Sequence, residues 1–347
     1  MSGDPVHSES PAPADVVGGR RVLVTGGAGF IGSHLCDALL AAGADRVVAV
    51  DDLFLGRREN LAEAGAAGAA GEAGGSDRFR FIEQDASDLE RMTAIVAEER
   101  PEIVFNLAVV PLPTSLERPK FTMDRNVAIA GTLCELARDG AFRTLLAFSS
   151  SEAYGSALTV PMSESHPLDP RTPYAASKAA TDHLILSCVH CFGIDARILR
   201  PFNNFGPRQN DRAYAGIIPV VVRRVEAGEP ILIHGDGEQT RDFIFAGDTA
   251  DAAIRLAGCD AARGRLVNVG RGAETSVNDL VAMLLAALGC PDHPVEHVDE
   301  RPGDVRRHCA DIDLARRLIG FAPRTELSAG LEETVAWYRE RPAVASR

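Results

Sequence analysis

Val24-Thr25-Gly26-Gly27-Ala28-Gly29-Phe30-Ile31-Gly32 decides the fold, because here an apolar strand ends and a helix begins. The run Arg21-Val22-Leu23-Val24 reads as a buried strand, and Ile31, Leu35, Ala38 and Leu39 then recur at helical spacing. Gly26, Gly29 and Gly32 form a G-x-x-G-x-x-G series. The first glycine turns the chain, the second lets backbone N–H groups approach a pyrophosphate, and the third packs helix on strand. The positive end of the helix would hold the phosphates, with Phe30 and Ile31 in its first turn. A second strand, Val47-Val48-Ala49-Val50, ends at Asp51-Asp52, about 20 residues on, where a carboxylate binds the adenosine ribose. That carboxylate repels a 2′-phosphate, so the expected cofactor is NAD rather than NADP. Arg57 and Arg58 lie close by and are the residues that could weaken this preference.

At 347 residues the chain suits one large α/β domain plus a smaller lobe. No uninterrupted apolar run is long enough to cross a membrane. A net charge of −13 argues against a nucleic-acid partner, whose phosphates it would repel. The seven cysteines form no framework pattern, and Cys188-Val189-His190-Cys191 is a single C-x-x-C without a second pair. Reduced thiols of a cytoplasmic protein are the expectation, with no metal site. Residues 1–19, rich in Ser, Pro, Asp and Glu, read as a disordered tail and not a targeting signal. The Gly/Ala-rich stretch 65–77 reads as a flexible surface insertion.

Buried strands at Phe79–Glu83, Ile103–Leu107, Thr144–Phe148 and Ala196–Leu199 alternate with helical patterns around 88–99, 120–138 and 172–191. The expected fold is a Rossmann-type, doubly wound parallel α/β sheet spanning 20–201. A smaller C-terminal substrate-binding lobe would fill 202–347, with the segment near 247–257 returning to the first domain. Ligands then bind beyond the carboxyl ends of the strands. Asp85-Ala86, Leu107-Ala108, Ser149 to Glu152 and Arg200 to Asn203 fall at those ends.

Tyr174-Ala175-Ala176-Ser177-Lys178 is the second constellation. A spacing of four puts both polar side chains on one helical face. A free tyrosine titrates at about 10, too high for a base at neutral pH. A neighbouring ammonium and an oxidised nicotinamide would stabilise the phenolate, which could then take a proton from a sugar hydroxyl while hydride leaves the same carbon. Lys178 would also bond the cofactor ribose.

Several further stretches, in order along roughly residues 20–340, complete a resemblance. They are Asn106-Leu107-Ala108, Asn126-Val127, Ser149 to Gly155, Arg200 to Arg208, Gly235 to Phe243 and Arg301-Pro302-Gly303-Asp304. With the glycine loop and the Tyr174/Lys178 pair, they make the chain resemble extended short-chain dehydrogenase/reductases that act on nucleotide sugars as epimerases, dehydratases or decarboxylases. The resemblance implies that Ser150 bonds the reacting C4 oxygen, and that Asp85 and Ala86 sit at the adenine. It places Leu107, Ala108, Asn126 and Pro201 at the cofactor, and Asn203, Arg208, Arg241 and Arg301 at the substrate, where arginine forks suit a diphosphate. It also implies a UDP-sugar substrate and a homodimer formed through the helices near 120–138 and 172–191.

Such enzymes share a first step that makes a 4-keto sugar, and they differ in the second. Epimerisation needs only that the keto sugar turn over. Dehydration needs a base at C5 and an acid at C6, commonly an Asp-Glu pair. A sugar with a C6 carboxylate becomes a β-keto acid and loses CO₂, with the ketone as electron sink. Here Ser151-Glu152 replaces the Asp-Glu pair and resembles UDP-glucuronate decarboxylases, so decarboxylation leads. Val109 to Pro113 and Tyr174 to Lys178 are more epimerase-like, which keeps a UDP-hexose 4-epimerase and an NDP-hexose 4,6-dehydratase as alternatives. A non-catalytic NAD-binding scaffold is the remote alternative, since fold alone does not fix function.

Overall fold

The computed structural model describes residues 11–69, 78–211, 216–300 and 305–340. Seven parallel strands form the central sheet: β1 (Arg21–Thr25), β2 (Arg46–Asp51), β3 (Phe79–Glu83), β4 (Ile103–Asn106), β5 (Thr144–Phe148), β6 (Asp195–Pro201) and, from far along the chain, β11 (Leu266–Val269). Their spatial order is β11-β6-β5-β4-β1-β2-β3. The order reverses between β1 and β4, and at such a switch point a doubly wound sheet opens a crevice for a ligand.

Nearly continuous apolar strands are what a sheet covered on both faces requires. Val22, Val24, Val47 and Ala49 point to one face, where they meet α2 (Phe30–Ala41), α9 (Ala246–Ala257) and α11 (Asp313–Ile319). Leu23, Val48, Val50 and Val104 point to the other. That face is covered by α4 (Leu89–Glu99), α6 (Pro119–Arg138) and α7 (Pro173–Phe192). The smaller lobe has its own core, in which α8 (Ile217–Glu226), α10 (Val277–Ala287) and α12 (Leu327–Glu340) pack around β8 (Ile231–His234). Short pairs complete it: β7 (Asn203–Phe205) with β10 (Phe243–Phe245), β9 (Thr240–Arg241) with β12 (Thr275–Ser276), and β8 with β13 (Val295–Val298).

The structure departs from the sequence reading in three places. Residues 1–10 lie outside the described residues, but Pro13–Val17 is not a disordered tail. It is a short helix, α1, with a proline start and with Val16 and Val17 buried against α9. The Gly/Ala stretch is helical at its start, as α3 (Ala62–Ala69), because alanine favours helix and Ala64 is fully buried; residues 70–77 lie outside the described residues. Finally, more of the chain after 201 returns to the sheet than the segment near 247–257 that the sequence suggests. Besides α9, both β11 and α11 belong to the sheet body, since β6 would otherwise be an open edge.

Glu99, at the end of α4, ties the strands together at their amino ends. Its side chain is 3% exposed and binds Arg46 Nε at 2.8 Å and Arg80 Nη1 at 2.5 Å, while its carbonyl accepts from Arg21 Nε. Burial alone would raise its pKa, but the arginine bonds hold it below the usual carboxylate value. Stability from this group is therefore present above the ordinary glutamate range and fades as pH falls through it. Glu99→Gln should lower unfolding stability by about 2 kcal/mol at pH 7. Denaturant titrations should show the gap from wild type closing towards pH 3, and a gap independent of pH would contradict the assignment.

Candidate active site

The glycine loop owes its shape to steric exclusion. Gly26 adopts φ +72°, a conformation that glycine takes freely, and its N–H donates to the Val50 carbonyl at 2.8 Å. A Cβ on Gly32 would lie 2.1 Å from the Gly26 carbonyl oxygen, so only glycine lets α2 start this close to β1. No side chain caps α2, and Gly29 to Gly32 line a cavity of about 420 Å³. Asp51, 8% exposed at the end of β2, accepts from the N–H groups of Ala28 at 3.0 Å and Leu53 at 2.8 Å. Burial pushes its carboxyl above the usual range, and those two N–H groups oppose the rise. An uncapped helix start, a loop without side chains and a buried carboxylate beside them fit a dinucleotide's pyrophosphate and ribose.

Ser150, Glu152, Tyr174 and Lys178 also line the cavity. Thr172 caps α7 by accepting from Ala175 N at 3.1 Å, and Pro173 begins the helix. This sets Tyr174 and Lys178 one turn apart, facing the end of β5. Ser150 hydrogen-bonds the Tyr174 phenol. Burial pushes that phenol up to about 12, the Ser150 bond opposes the rise, and the negative charges of Glu152 and Asp182 add to it. Lys178 donates to the Phe148 carbonyl at 2.6 Å, and burial brings it down to about 8, against the pull of Asp182.

Beneath this pair lies a buried network that sequence reading missed. Asp182, one turn beyond Lys178, accepts from Ser149 Oγ at 2.6 Å and from Arg200 Nη2 at 2.6 Å. The Arg200 guanidinium stands 4.1 Å over the Tyr154 ring, whose hydroxyl donates to Asn268 Oδ1 of β11 at 2.9 Å. The i, i+4 spacing from Lys178 was the one available signal for Asp182. His308, 3% exposed, lies 4.9 Å from the Phe202 ring and hydrogen-bonds the backbone of Ser151; burial lowers it to about 4, so it is neutral at physiological pH.

The expected cofactor residues Gly26, Gly29, Phe30, Ile31, Gly32, Asp51, Asp52, Asp85, Ala86, Leu107, Ala108 and Pro201 all line the cavity, as do Ser151, Asn203 and Arg208. Asn126 does not. Its amide is buried behind the wall, accepting from Val110 N at 2.7 Å and donating to the Val110 carbonyl and to Ser177 Oγ. It therefore holds the Val109-Val110 wall from behind. Asn203 Oδ1 is buried and accepts no hydrogen bond from a described residue, which suits a substrate donor. Arg208 is not a free anion fork: at φ +67° its guanidinium turns to Asp37 at 2.6 Å and Glu63 at 2.9 Å. Arg241 donates to the carbonyls of Thr240 and Val305 and is not among the lining residues; Arg301 lies outside the described residues. Arg57 pairs with Asp211 and Arg58 with Glu83, so both are engaged by carboxylates. Arg125, Gln84 and Asn60 line the cavity without having been anticipated. Among the described residues there is no metal-binding cluster, and no helix is long and apolar enough to cross a membrane. All seven cysteines are free.

Comparison with known proteins agrees with this geometry. Residues 22–270 match the NAD dependent epimerase/dehydratase family. A UDP-glucose 4-epimerase of Mycolicibacterium smegmatis is 38% identical over 323 residues, covering 92% of this chain and 99% of that protein. A dTDP-glucose 4,6-dehydratase of Actinoplanes sp. is 34% identical over 332 residues, covering 92% and 98%. Among solved structures, UDP-glucose 4-epimerase from Thermotoga maritima with UDP-glucose superposes with a TM-score of 0.83 at 32% identity, covering 92% of this chain and 98% of that one. The dTDP-glucose 4,6-dehydratase DesIV of Streptomyces venezuelae, solved with NAD bound, gives 0.82 at 32% identity, covering 92% and 97%. These relatives are epimerases and dehydratases, and they give no support to the decarboxylase expected from Ser151-Glu152. The chain is an enzyme of the NAD dependent epimerase/dehydratase family, with NAD as its cofactor.

Proposed function

We propose that this enzyme interconverts the C4 epimers of a UDP-hexose. The carrying observation is the reactive set lining one cavity: Ser150 hydrogen-bonded to the Tyr174 phenol, Lys178 one helical turn on from Tyr174, Glu152 the nearby carboxylate and a buried serine, Ser151, beside it. When bound, NAD supplies a reversible hydride acceptor for C4. Tyr174 removes the C4 hydroxyl proton and later returns it, Ser150 holds the C4 oxygen, and the Lys178 ammonium stabilises the phenolate. Epimerisation asks for nothing more, provided the 4-keto sugar turns over between the two transfers.

The competing reactions fit less well. Dehydration wants an acid for the departing C6 hydroxyl, and Ser151 has no proton acidic enough to serve. Decarboxylation would bring a C6 carboxylate to the end of the cavity that carries the Glu152 charge, a like-charge approach. UDP is favoured over dTDP because the UDP-glucose epimerase of M. smegmatis, at 38%, exceeds the dehydratase of Actinoplanes at 34%. The expected homodimer would use the outer face of α6 and α7, where Ala128, Glu135, Ala180 and His183 are exposed; light scattering should then report twice the 36.9 kDa chain mass.

Incubation with UDP-glucose or UDP-galactose, with chromatography of the sugar nucleotides, should give the same mixture from either side. Loss of water from a hexose nucleotide, or of CO₂ from UDP-glucuronate, without epimer formation would overturn the reading. Tyr174→Phe should lower turnover by about 10²–10⁴-fold while NAD still binds. Because Lys178 titrates at about 8 and acts as the ammonium, wild-type turnover should decline as pH rises past that value. Lys178→Met should be slower throughout and lack the alkaline decline, and a mutant profile that retains it would remove Lys178 from this role.

A further inference from the structure

At the adenosine end of the cavity stands an arginine that no motif assigns. Arg125 lies on α6, lines the cavity, and has a side chain 29% exposed. Its Nη2 is 2.5 Å from Asp85 Oδ2 and 3.4 Å from Asp52 Oδ2. Those two carboxylates come just after β3 and β2, where the adenine and ribose of a dinucleotide are received.

Neither carboxylate is free to swing. Asp85 Oδ1 already accepts from Ser87 N at 2.9 Å and Ser87 Oγ at 2.8 Å, and Asp52 Oδ1 accepts from Phe54 N at 3.0 Å. The guanidinium is steadied from its own helix as well. Phe121 lies 6.0 Å from it, with Arg118 stacked 4.0 Å over the same ring and Phe54 at 6.2 Å. Both carboxylates use Nη2, which leaves Nη1 and Nε for a ligand. A planar cation fixed at the mouth, with N–H edges to spare, matches the ring nitrogens and π face of a purine.

We propose that Arg125 is a cofactor-recognition residue: fixed between Asp52 and Asp85, its guanidinium binds the adenine ring of NAD. It also sets one positive charge between two neighbouring carboxylates. The inference concerns the cofactor and is independent of the sugar reaction.

The test is calorimetric titration of nucleotide-free protein with NAD and with nicotinamide mononucleotide, which lacks the adenosine half. Arg125→Met should weaken NAD binding about tenfold, the size of one charge-assisted contact, and leave the mononucleotide unchanged. Arg125→Lys keeps a cation between the acids but lacks the planar fork, so it should lose nearly as much. NAD affinity within twofold of wild type in Arg125→Met would overturn the proposal. So would full recovery in Arg125→Lys, which would reduce Arg125 to a salt bridge, or equal losses for both nucleotides, which would report a general disturbance.

Discussion

The site depends on how closely α2 approaches β1. A Cβ at Gly32 would stand 2.1 Å from the Gly26 carbonyl oxygen, and one at Gly26 would stand 2.6 Å from Leu107 and Ala108 backbone atoms. The same loop therefore touches the start of α2 and the segment just after β4. Any side chain at these positions would force the elements apart, and a close-packed interior has little room to absorb the shift. This approach sets the aim of the α2 N-terminus, the hold of Ala28 N on Asp51, and the presence of Leu107 and Ala108 in the cavity wall.

The other end of the cavity is governed by charge placed in a dry interior. Tyr174 and Lys178 are both pushed towards their neutral forms by burial, so the charge either carries depends on help from its surroundings. Asp182 gives that help to Lys178 and is itself fixed by Ser149 and Arg200. A buried ion pair of this kind contributes little net stability, because desolvation offsets the attraction. Its structural effect is to lock the end of β5, the middle of α7 and β6 into one geometry. Through Tyr154 and Asn268 the lock extends to β11, which pairs with β6 at the edge of the sheet.

The elements that the sequence could specify are those whose signals are local. Strand periodicity from Val22 to Leu199, the glycine spacing and the Tyr174/Lys178 turn each reside in a few neighbouring residues, and each appears where expected. The arginines and Asn126 behaved differently, because a long polar side chain can serve a ligand or another part of the protein equally well. Arg208 pairs with Asp37 and Glu63, and the Asn126 amide is engaged by Val110 and Ser177. Nothing local distinguishes those outcomes from ligand binding. Arg125 is the reverse case, overlooked because its partner Asp52 is 73 residues away.

The sequence by itself determined the fold, the glycine loop and the one-turn spacing of Tyr174 and Lys178, since steric exclusion and helical spacing act between near neighbours. Which polar side chains reach the cavity, and which are held by other parts of the protein, was decided only by the tertiary structure. The physical reason is that a buried charge or amide must find its partner in three dimensions, and that partner is set by packing between elements far apart along the chain.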